Sequence, residues 1–104
     1  MIARVWSARA TPENLEAYKT HLARNVFPEL RSIAGFVRAE LLTRLVHGEV
    51  EITVTTVWTG YEAIEAFAHP DREAAVVAQE AAALLTDYDR RVRHYEISLT
   101  TEEH

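Results

Sequence analysis

Residues 36–58 read FVRAELLTRLVHGEVEITVTTVW, two strand-like runs around a short polar break. In the first run, Phe36, Arg38, Glu40, Leu42 and Arg44 share one face, which is rich in charge. Val37, Ala39, Leu41, Thr43 and Leu45 share the other, which is almost wholly apolar. A period of two marks a β-strand, here Phe36 to Val46. His47-Gly48-Glu49 predicts a tight hairpin, with Gly48 free to take positive φ. Val50 to Trp58 is dense in β-branched residues (Val50, Ile52, Thr53, Val54, Thr55, Thr56 and Val57), as suits a central strand.

Upstream of this hairpin, Ala34-Gly35 ends a helix that begins at Thr11-Pro12-Glu13. Thr11 can cap free amides, Pro12 suits the first helical position, and Glu13 favours the positive end of the dipole. Leu15, Tyr18, Leu22, Val26 and Leu30 follow at spacings of three and four, an apolar stripe. Pro28 kinks or closes the end. Before the helix, Ile2 to Ala8 predicts a first strand, with Ile2, Trp6 and Ala8 facing one way and Ala3, Val5 and Ser7 the other.

Downstream, Thr59-Gly60-Tyr61-Glu62 has capping-box spacing, and a short helix runs through Ala68 with Ile64 and Phe67 inward. Pro70 breaks it at His69. A second helix is predicted from near Asp71, with Val77, Ala81, Leu84 and Tyr88 on one stripe. A last strand follows from Arg91 to Leu99, with Val92, His94 and Glu96 opposite Tyr95, Ile97 and Leu99. Thr100 to His104 is expected to fray. The order is β-α-β-β-α-β, an α+β fold of the ferredoxin-like kind: one antiparallel sheet with helices on one side. The strands carry apolar residues on both faces, so the uncovered face predicts a second copy packed against it, a homodimer.

With 104 residues, 48% hydrophobic and 26% charged, the whole span 1–104 reads as a single folded domain. A net charge of -5 disfavours nucleic acid, and Arg90, Arg91 and Arg93 are interleaved with Asp87, Asp89 and Glu96. No run approaches the roughly 20 apolar residues that span a bilayer, so no membrane is expected. The absence of cysteine excludes disulfides, thiolate zinc sites and a cysteine nucleophile, and fits a cytoplasmic protein.

The Val57-Trp58-Thr59-Gly60 turn into a helix, the Ala66-Phe67-Ala68-His69-Pro70-Asp71 break and the closing Val92-Arg93-His94-Tyr95-Glu96 resemble the antibiotic-biosynthesis-monooxygenase family. The resemblance covers nearly the whole chain. It implies a dimeric α/β barrel, no cofactor, and oxygenation of an aromatic or quinone-like small molecule in a pocket between sheet and helices. Haem-degrading relatives use an asparagine near the end of strand one, and a tryptophan and a histidine in the second helical region. The approximate equivalents here are Ser7, Phe67 and Val77, so the resemblance disfavours that chemistry.

His94 is the candidate catalytic residue. A strand histidine can bind a proton near neutral pH and deprotonate a phenol, giving an anion electron-rich enough to meet oxygen directly. The plainer account is a histidine hydrogen-bonded across the sheet. Arg38 and Glu40, on one face, could orient a polar ligand or form a surface ion pair of little worth. Trp58, Trp6 and Tyr95 could wall an aromatic site; core packing is the competing account for the tryptophans. No metal is expected: Glu65 and His69 have helical spacing but no third ligand, and Asp87-Tyr88-Asp89 reads as a turn. The rival to an enzyme is a non-catalytic ligand-binding or stress-related module.

Overall fold

A computed structural model describes residues 1–101. Of the expected frayed tail, residues 102–104 lie outside the described residues. The elements are β1 (Ile2–Ala10), α1 (Pro12–His21) running through a π-helical turn (Leu22–Val26) into α2 (Phe27–Arg31), β2 (Phe36–Val46), β3 (Glu49–Trp58), α3 (Tyr61–Phe67), α4 (Gln79–Ala82), β4 (Asp87–Tyr88) and β5 (Arg93–Glu96). The antiparallel sheet runs β2-β3-β1, and both β4 and β5 pair with the far edge of β1. This is the ferredoxin-like topology read from the sequence.

Local chemistry accounts for most of these boundaries. Val46 pairs with Glu49, leaving His47 (φ 52) and Gly48 (φ 80) as the two-residue loop. Positive φ at both positions is the geometry that matches strand twist in tight hairpins. Thr11 Oγ1 accepts from the Asn14 amide at 3.3 Å, capping α1. Further along, the Phe27 N–H reaches back five residues to the Leu22 carbonyl, forming the wide π turn just before Pro28. Proline lacks the N–H that would continue an α-helical ladder, so the change of pitch has a local cause.

Four expectations are corrected. Thr59 does not cap α3; Gly60 stands at that position with no side-chain bond. Residues 71–78 are not helical. Asp71 Oδ1 takes the Glu73 amide, the Ala75 amide donates to the Arg90 carbonyl, and the Val92 amide donates to the Glu73 carbonyl. These groups are spent on an edge pairing with residues 90–92, so only Gln79–Ala82 turns into helix. Tyr88, expected on that helix, lies instead in β4 opposite Ala8, which also replaces the turn expected at Asp87-Tyr88-Asp89.

The register sorts the sheet into two faces. On the helix side, Ile2 pairs with Trp58, Arg4 with Thr56, Trp6 with Val54, Ala8 with Ile52 and Ala10 with Val50. The ends of this row are core. Ile2 and Trp58 pack with Leu30, Ala63 and Ile64; Ala8, Ala10, Val50 and Ile52 pack with Tyr18, Leu22 and Ala81. The other face carries Ala3, Val5, Leu42, Val57 and Tyr95, but also Arg9, Arg38, Glu40, Arg44, Glu51 and Arg93. Arg44 and Glu51 pair there at 2.9 Å. The uncovered face is therefore mixed rather than uniformly apolar, because the charge-rich row of β2 is the one that points outward.

Candidate functional site

Between the two cores, the middle of the sheet is left unfilled by the helices. A cavity opens over the Arg4–Thr56 and Trp6–Val54 pairs. Its volume is about 80 Å³. Leu22, Val26 and Leu30 close it from the first helical arm; Phe67, Val77 and Ala81 close it from the second. The π turn supplies Leu22 and Val26 to this wall. Polar groups are few: Arg4, Thr56, Tyr18 and His21. Apolar walls with a few placed polar groups are the usual make-up of a small-molecule site.

Arg4 and Thr56, at 5% and 7% exposure, are buried on the cavity floor. The Arg4 Nη1 donates to the Arg72 carbonyl, and Nη2 donates to the Ala74 carbonyl at 2.8 Å. These bonds explain further why 71–78 cannot coil: a buried cation draws two of its carbonyls. Nη1 also lies 3.0 Å from His94 Nε2. A guanidinium only donates, so Nε2 is the acceptor and the ring proton sits on Nδ1. That Nδ1 is buried with no partner among the described residues. Burial and then the Arg4 charge lower the His94 pKa; Arg72 adds to the lowering and Glu73 opposes it. His94 is thus a neutral imidazole, with the Tyr61 ring edge-on at 5.6 Å.

Burial brings the Arg4 pKa down to about 10, which leaves it charged at neutral pH. No carboxylate pairs with it among the described residues. Its other neighbour is the Phe67 ring, 5.8 Å from the guanidinium carbon. Thr56 Oγ1 accepts from Trp58 Nε1 at 2.8 Å, which leaves the hydroxyl proton free to donate. Tyr18 is buried on the helical wall, and burial pushes its pKa up to about 12, so it stays protonated. His21 lies beside it, with Asn25 Nδ2 3.1 Å from its Nδ1.

Of the residues singled out from sequence, the structure brings only Trp6 to the cavity wall, with its Nε1 donating to the Asp89 carbonyl at 2.7 Å. Trp58 lies one layer behind, wholly buried, its ring 5.9 Å from that of Phe67. His94 stands behind Arg4 and off the cavity, since its reactive nitrogen is already taken. Arg38, Glu40 and Tyr95 project from the opposite face of the sheet and are not part of this site. Arg4 escaped notice, although its signal was legible: it is the lone charge in the alternating row Ile2, Arg4, Trp6, Ala8, Ala10. No group of three or more metal-ligating side chains occurs among the described residues, and none of their helices is long and apolar enough to cross a membrane.

No family model matches the chain, and no curated protein does. Solved structures do. A heme-degrader, MhuD from Mycobacterium tuberculosis, with two hemes bound in its active site, superimposes with a TM-score of 0.63 at 22% identity, covering 96% of this chain and 98% of that one. A Bacillus cereus protein described as an antibiotic biosynthesis monooxygenase gives 0.58 at 14%, covering 98% and 95%. SnoaB, a cofactor-independent oxygenase from Streptomyces nogalater, gives 0.57 at 19%, covering 98% of each chain. At these identities the likeness establishes a shared fold, the one to which the sequence resemblance pointed.

Proposed function

We propose that this protein is a small-molecule-binding homodimer that oxygenates an aromatic or quinone-like compound without a cofactor. The observation that carries the reading is the cavity between sheet and helices, apolar on its walls and polar at Arg4, Thr56, Tyr18 and His21. Fold likeness to a cofactor-independent oxygenase supports the reaction class. Such chemistry asks the protein to hold a ring, take up its proton and keep bulk water out. Trp6 and Phe67 offer aromatic surface for the ring. His21, the imidazole on the wall, is the proton acceptor in place of His94, with its Nδ1 exchanging the Asn25 amide for the substrate hydroxyl, while His94 positions Arg4.

Haem is bound by one protein of this fold. Haem iron takes an axial side-chain ligand. The wall from the second helical region (Phe67, Val76, Val77, Ala78 and Ala81) offers carbon alone, so these residues do not fit a haem ligated from there.

Oxygen uptake over a panel of naphthols and anthrones tests the reaction. Turnover is expected with at least one member, and His21→Ala should lower it by about 10²–10⁴-fold. If nothing on the panel consumes oxygen while binding persists, the protein is a ligand-binding module. The dimer has its own measurement. Leu42 and Tyr95, 53% and 51% exposed on the uncovered face, support pairing. Light scattering should give about twice 11.8 kDa, and a concentration-independent particle of 11.8 kDa would remove the proposal.

A further inference from the structure

We infer that the cavity takes an anion: an aromatic-sized apolar molecule bearing one oxyanion, carboxylate or phenolate, that pairs with Arg4 and accepts from Thr56. This rests on the cavity reading above and narrows it to a substrate class. Buried charges in folded proteins are paired, because an uncompensated ion in a dry interior is strongly unfavourable. Arg4 is 5% exposed and has no carboxylate partner among the described residues. Its acceptors are two backbone carbonyls and an imidazole, all neutral. Those three bonds leave two of the five guanidinium N–H groups for a ligand.

Placement agrees with that count. Arg4 and Thr56 are cross-strand partners, and both line the cavity floor. His94 strengthens the arrangement. With its proton on Nδ1 it accepts from Nη1, orients the guanidinium and adds no competing charge. The net charge of -5 gives the exterior no general attraction for anions, so selection has to occur inside.

Calorimetric titration with 2-naphthoate and its neutral analogue 2-naphthamide tests the inference on the unmodified protein. The acid should bind about 10–100-fold more tightly, the worth of a charge-assisted bond pair. Arg4→Lys should keep the preference and Arg4→Gln should abolish it. Should Arg4→Gln fail to fold, the wild-type pair of ligands still decides. Equal affinities in the wild type, or a preference that survives Arg4→Gln, would overturn the charge assignment while leaving the cavity reading intact. Binding of neither compound would sink both. A strong acid preference without oxygen uptake would sustain the anion site and remove only the oxygenase.

Discussion

Trp58→Ala should lower the stability of this protein by about 3–5 kcal/mol, measured by urea denaturation. The side chain is wholly buried at the end of β3. Its ring meets Phe36 edge-on at 5.3 Å and Phe67 at 5.9 Å, so it ties the start of β2 to α3 through the end of the sheet. Truncation opens a void that neighbours on three elements cannot close together, and it strips Thr56 of its indole donor. Small domains hold about 5–15 kcal/mol in all, so the loss is a large share. Trp58→Phe separates the two parts: it keeps most of the ring area and should cost about 1–2 kcal/mol, chiefly for the lost hydrogen bond and residual space. An alanine variant within about 1 kcal/mol of wild type would show that Trp58 is not an anchor of this core.

Gly35→Ala comes next, with an expected loss of roughly 2–5 kcal/mol from backbone strain and overpacking together. Gly35 sits at φ +93, beyond the region that L-residues with a side chain tolerate. A Cβ there would lie 2.6 Å from Ala63 Cβ and 2.8 Å from Thr59 Oγ1. Neither neighbour can yield easily. Ala63 is buried in α3, and the Thr59 amide is bonded to the Gly35 carbonyl at 2.8 Å. The turn before β2 and the entrance to α3 are thus pressed backbone to backbone. Thermal unfolding followed by circular dichroism should show a fall of ten degrees or so. Gly35→Ala combined with Ala63→Gly should recover part of it, by relieving the clash but not the φ. A single variant that melts with the wild type would refute the close approach.

Both residues matter to the candidate site at one remove. Trp58 backs Phe67, which lines the cavity, and Gly35 lets the turn before β2 close onto α3, the helix that presents Phe67. A cavity between packed layers depends on the layers keeping their distance. Losses of ligand binding in either variant should therefore track stability, whereas Arg4→Gln should change ligand preference.

Much of the fold was legible in the chain because its signals are local. Alternation in 38–46 and 50–58, the freedom of Gly48 to take positive φ, and the Thr11-Pro12 start each act within a few residues, and each element formed where those signals lie. An irregularity between Phe36 and Arg38 turned Phe36 to the helix side, away from the face the alternation gave it. The Leu15, Tyr18, Leu22, Val26 and Leu30 stripe does turn inward, with Tyr18, Leu22 and Leu30 buried. The site was less legible. Trp6 reached the cavity, yet His94, Arg38, Glu40 and Tyr95 did not, since a residue type says little about what lies above it.

Element order and the two-faced pattern of each strand thus came from the chain's local chemistry. Tertiary contacts settled which face of the sheet was covered, where a gap stayed open, and that residues 71–78 would not coil. The reason is distance along the chain: Arg4 draws the carbonyls of Arg72 and Ala74 across separations of 68 and 70 residues. Helical periodicity in 71–88 is a short-range preference of small size, and a buried cation in need of acceptors outweighs it.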